Sequence, residues 1–93
     1  MNQFKNGVYY DYYSGQVKFY MNRPKTLDKS LKGKKIKIDD IELVVDEFYN
    51  KAGIQMLSFS GIVRRRFNDY QSAIIYLRCR ITNEIQSLSV RNH

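Results

Sequence analysis

Residues 69–88 read DYQSAIIYLRCRITNEIQSL, and their period decides between an all-β chain and one that adds a helix. Tyr70, Ala73, Ile74, Leu77, Ile81, Ile85 and Leu88 recur every three or four positions, which sets them on one stripe of an α-helix. Asn68 or Asp69 offers a side-chain oxygen for the N-cap. A strand would instead place Ala73, Ile75, Leu77, Cys79 and Ile81 on one face, with Tyr76, Arg78 and Arg80 on the other. Both periods fit Ser72–Ile81. Only the helix also accounts for Ile85 and Leu88, and no turn residue interrupts the run, so a helix is expected. It turns Ile75 and Cys79 away from the sheet and exposes Tyr76 beside them, a trio suited to a homodimer contact.

Upstream, the period is two. With Ser14-Gly15 as a tight turn, Tyr12 faces Val17, Tyr10 faces Phe19 and Val8 faces Met21. That register gathers Val8, Tyr10, Tyr12, Val17, Phe19 and Met21 on a core face. On the other face Tyr9 meets Tyr20 and Asp11 meets Lys18. Arg23-Pro24 ends the hairpin, since proline has no N–H to donate. Thr26–Lys32 fits one helical turn with Leu27 and Leu31 on one side and Gly33 closing it, or a plain loop. A second hairpin turns at Asp39-Asp40, pairing Ile38 with Ile41, Ile36 with Leu43 and Lys37 with Glu42. Its second strand runs to Tyr49, and Ile54–Val63 returns after Asn50–Gly53. Val45 pairs sensibly with Leu57, and Leu43 with Phe59, only if a bulge or a three-residue turn lies beside Gly53. The expected fold is α+β: a bent antiparallel sheet of about five strands, barrel-like if it closes, with a carboxy-terminal helix packed on one face.

The chain has 93 residues, room for a single domain, 1–93. One proline and five glycines argue against low-complexity sequence, and one cysteine leaves no internal disulfide. No apolar run is long enough to cross a bilayer, and Met1–Lys5 lacks the apolar core of a signal peptide, so a cytoplasmic protein away from membranes is expected. Sixteen basic residues outweigh nine acidic ones, for a net +7. The excess is concentrated towards the carboxy terminus, where six of the seven arginines lie at or after Arg64. A planar guanidinium suits bidentate contact with phosphate, and such a charge balance fits a polyanionic partner or, equally, a solubilising surface with none.

Enzymatic chemistry finds little support. The only histidine is His93, the last residue, and Cys79 has no histidine partner for a nucleophile pair. Asp39, Asp40, Glu42, Asp46 and Glu47 are close in sequence, but the turn and the Lys37–Glu42 pairing explain three of them. Asp46 and Glu47 fall on opposite faces of one strand, and no zinc-type spacing exists. Gly33-Lys34-Lys35 lacks the earlier glycine and the following Ser/Thr of a phosphate-binding loop. No metal, cofactor or catalytic group is expected. Neither the aromatic signature of the RNA-recognition motif nor a Gly-x-x-Gly loop is present.

The surface is more informative. Arg64-Arg65-Arg66 follows a strand and cannot all point one way, yet with Arg78 and Arg80 these residues can converge on one edge of the sheet. Tyr9, Tyr13 and Tyr20 lie off the core face beside Lys18, as stacking platforms beside charge do. Lys34, Lys35 and Lys37 add nonspecific attraction. The expected function is a non-enzymatic basic module that engages nucleic acid, DNA or RNA, or a nucleoprotein. One alternative is a small inhibitor or accessory factor, of the kind phages and mobile elements encode, docked on the acidic surface of a host nucleic-acid enzyme. A third reading is a metal-independent ribonuclease working with Arg, Lys and Tyr.

Overall fold

The computed structural model describes residues 6–91, with side chains through residue 88. Met1–Lys5 and His93 lie outside that span. Five strands form one antiparallel sheet: β1 (Asn6–Tyr10), β2 (Gln16–Asn22), β3 (Lys35–Ile38), β4 (Ile41–Lys51) and β5 (Ile54–Val63), in the spatial order β1-β2-β5-β4-β3. One helix, α1 (Tyr70–Arg91), packs across one face. The fold is therefore α+β with an open sheet; β1 and β3 are free edges and no barrel closes. No helix among the described residues is long and apolar enough to cross a membrane.

The apolar stripe sets the docking of α1. Ala73, Leu77, Ile81 and Ile85 are all fully buried, while Ile75 and Cys79 face solvent as the 3.6-residue period requires. Asp69 is the N-cap: its carboxylate accepts the Ser72 N–H at 2.8 Å and the Ser72 hydroxyl at 3.1 Å. Tyr76 departs from expectation. It is half-buried against the core, with its hydroxyl donating to Asp40 at 3.3 Å, so it is not part of an exposed trio with Ile75 and Cys79.

The first hairpin keeps its faces but slips by two residues. Tyr10 pairs with Val17 and Val8 with Phe19, so the core face survives; Tyr9 then meets Lys18, not Tyr20, and Tyr20 packs over Gly7. The cause is Asp11. Its carboxylate accepts the backbone N–H of Tyr13 and of Ser14, its carbonyl accepts the Gly15 N–H, and its own N–H reaches Gln16. A two-residue turn becomes a wider capped loop, which moves Tyr12 out of the core and takes Asp11 away from Lys18. Lys18 finds Asp46 instead, at 3.8 Å.

The Asp39-Asp40 hairpin has the expected register. Thr26–Lys32 contains a short 3₁₀ turn, Lys29–Leu31, capped by Asp28, with Leu27 buried beneath it. The bulge in the β4–β5 pair exists but lies at Asp46. The turn is the tight Ala52-Gly53, and Val45 pairs with Phe59, not Leu57; Leu43 consequently meets Gly61. The bulge resets parity. Phe48 turns to the helix side, and Asp46 and Glu47 both turn to the outer face, where alternation alone would have separated them.

The shortest dimension of the molecule, 19 Å, matches one sheet plus one helix layer. Among the described residues no element covers the second face of the sheet.

Candidate nucleic-acid interface

The end of β5 leads into residues 64–69, a linker that crosses the end of the sheet before α1 begins. Three backbone ties hold it. Val63 N–H donates to Gly15 O at 2.8 Å, Arg64 N–H to Asp40 O at 2.9 Å, and the Tyr12 hydroxyl to Phe67 O at 2.6 Å. Gly15 is required here, with φ at +81° and the position of a Cβ only 2.7 Å from Val63 O. Between the linker and the 11–15 loop lies an open groove of about 350 Å³. Its walls are Tyr10, Tyr12 and Tyr13 on one side and Arg64, Arg65, Arg66 and Phe67 on the other.

The rings form one cluster. Tyr10 stands edge-on to Tyr12 at 6.3 Å and to Phe67 at 5.9 Å, and Tyr12 stands edge-on to Tyr13 at 6.1 Å. Tyr13 is 97% exposed, a bare ring at the mouth. Burial raises the pKa of the Tyr10 phenol, helped by Tyr12 and Asp11, and the charge of Arg66 opposes the rise. Among the described residues no carboxylate is in the wall of the groove, and Asp11, the nearest one named, is turned to the backbone of Tyr13 and Ser14.

The three arginines have different surroundings. Arg64 turns to the outer face and binds Glu42 at 2.9 Å, which holds the Glu42 carboxyl below its ordinary range. Arg65 lies over Tyr76 at 4.6 Å and Phe67 at 5.5 Å from the ring centres. Stacking of this kind fixes the guanidinium plane while leaving its N–H edge open. Arg66 is exposed and has no carboxylate partner among the described residues.

The expected convergence of five arginines does not occur. Arg80 binds Asp39 at 2.6 Å, near the β3–β4 turn. Arg78 lies two residues away on the same helix, about 200° around it, because each residue turns about 100°. It is therefore on the opposite flank, the side on which Thr82 accepts a hydrogen bond from Asn6 of β1.

The remaining residues divide between surfaces. Tyr9, 65% exposed, and Tyr20 lie on the open sheet face with Lys18, whereas Tyr13 belongs to the groove. Lys35 and Lys37 also project from that face, but Lys34 lies on the helix side, beside Leu27 and Ile36. On the open face Lys18, Lys35, Lys37 and Arg64 are interleaved with Glu42, Asp46 and Glu47, with Lys18 near Asp46 and Arg64 bound to Glu42. The sequence does not mark Tyr10, Tyr12 and Phe67 for the groove: the hairpin pattern assigns Tyr10 to the core, where it lies, and Tyr12 to the core, which it leaves, and nothing local marks Phe67. Among the described residues no group of three or more His, Cys, Asp or Glu side chains is placed to hold a metal ion. The chain matches no family model, no curated protein and no solved structure.

Proposed function

We propose that the protein is a non-enzymatic binding module that holds single-stranded nucleic acid in the groove between the 11–15 loop and the 64–67 linker. One observation carries the reading: four aromatic residues and three arginines share a preformed cleft with no carboxylate in its wall among the described residues. Bases stack on exposed rings whatever their identity, and guanidinium forks meet phosphates. The open sheet face has tyrosines too, but its cations stand among Glu42, Asp46 and Glu47, carboxylates that oppose a polyanion. Arg65 and Arg66 are the phosphate contacts in this reading, and Tyr13 is the stacking platform.

Fluorescence anisotropy with labelled single-stranded DNA and RNA octamers tests it. Arg66→Ala removes one charge-assisted contact and is expected to weaken binding about tenfold. Lys18→Ala, on the open face, is expected to change binding less than about twofold. Absence of binding to either octamer at physiological salt overturns the proposal and favours docking on a protein, for which exposed tyrosine and arginine are also the usual anchors.

A further inference from the structure

We infer that the groove takes one nucleotide, or two at most, so that the protein engages a strand end or a very short unpaired stretch instead of tracking along a polymer; this rests on the nucleic-acid reading above. Three observations set the limit. The groove, about 350 Å³, is at the lower end of the roughly 300–1,000 Å³ typical of small-ligand clefts. Its one fully bare ring is Tyr13; Tyr12 has its hydroxyl tied to the linker, and Tyr10 is buried. One bare ring offers one stacking platform.

The third observation is the charge around the mouth. Two guanidinium groups, of Arg65 and Arg66, remain open for phosphate. A strand continuing towards β3 meets Arg64 and Arg80 already held by Glu42 and Asp39, with the carboxylates repelling its backbone. A strand continuing over the open sheet face meets Asp46 and Glu47, two carboxylates against the single cation of Lys18. Proteins that track single strands line a long groove with charge and cover roughly 4–16 nucleotides per module. Among the described residues no such line leaves the groove towards β3 or over the open face.

The test is a length series: unlabelled 5′-phosphorylated oligothymidylates and oligouridylates of one, two, four and eight residues, measured by calorimetry and corrected for overlapping positions on the longer chains. Affinity is expected to rise from one residue to two and then to change less than about threefold up to eight. Two phosphate contacts give a log–log salt slope near −1.4 for a single strand, at about −0.7 each. Tyr13→Leu is expected to weaken the dinucleotide at least about fivefold, and Tyr9→Leu to leave it unchanged. A tenfold or greater gain from two residues to eight, or a slope beyond about −3, overturns the short footprint while leaving nucleic-acid binding in place. No heat with any length, together with no octamer binding, overturns both.

Discussion

Adjacent arginines diverge here because the alternation of β5 carries on for two residues beyond its end at Val63. Val63 is buried against the helix, so Arg64 projects outward to Glu42 and Arg65 returns to the helix side and Tyr76. The same alternation makes Gly61 indispensable. It follows Ser60 on β5 opposite Leu43, and the position of a Cβ there lies 1.8 Å from the Glu42 carbonyl oxygen, backbone that cannot swing aside. Gly61→Ala is expected to destabilise by about 3 kcal/mol or more in urea unfolding. At Gly7 the clash is with the tip of the Tyr20 ring, a side chain free to rotate outward. Gly7→Ala is expected to cost about 1 kcal/mol or less. Equal costs at the two glycines would contradict the packing described.

At the scale of elements, the helix and the bulge each make a prediction. Asp69→Ala removes the N-cap acceptor for Ser72 and is expected to lower stability by about 1 kcal/mol, shifting the urea midpoint without changing the slope. Asp46 is the extra residue of the β4 bulge, so its deletion leaves a regular ladder from Val45–Phe59 into Glu47–Ser58. Deleting Asp46 is expected to keep the fold at a cost of no more than about 2 kcal/mol. Deleting Val44 instead, with the bulge closed, turns Val45 outward and sets the Asp46 carboxylate in the core opposite Phe59, and is expected to prevent folding, checked by loss of cooperative melting.

Legibility in the sequence followed the same division. Parity of two and period of 3.6 were visible, which is why the strands, the helix, its cap and the faces of the first hairpin could all be read. The exact pairing could not, because Asp11 sets the loop width through its side chain and a bulge moves without altering composition. The site was half legible. The consecutive arginines and Tyr13 announced themselves, but Arg78 and Arg80 looked like neighbours in a string and are opposites on a helix. Phe67 joined the groove only through the fold, carried to Tyr12 by a linker of no fixed period.

For the whole molecule, net charge overstates what a polyanion meets. Arg65 and Arg66 line the groove, Arg64 and Arg80 bind carboxylates, and Arg78, Lys34, Lys35 and Lys37 lie on other surfaces. Asp11, Asp28 and Glu42 govern acid stability. Hydrogen bonds from Tyr13 and Ser14 lower the pKa of Asp11, bonds from Ser30 lower that of Asp28, and Arg64 lowers that of Glu42, from ordinary values of 3.8, 3.8 and 4.5. A carboxyl with a depressed folded-state pKa stabilises fully above its ordinary value and loses that contribution as pH falls through the depressed one. Thermal melts are expected to be flat from about pH 7 to pH 5 and to fall below about pH 4. Glu42→Gln is expected to flatten part of that fall; a stability that rises on acidification would contradict these assignments.

The central claim is that the 11–15 loop and the 64–67 linker together form the binding surface. Backbone amide shifts in ¹⁵N-labelled protein, titrated with a short 5′-phosphorylated oligouridylate, test it most directly. The account predicts shifts concentrated at Tyr12, Tyr13, Gly15 and Arg64 through Phe67, with Lys18, Tyr20 and Lys35 on the open face undisturbed. Shifts centred on the open face, or none at all, would contradict it.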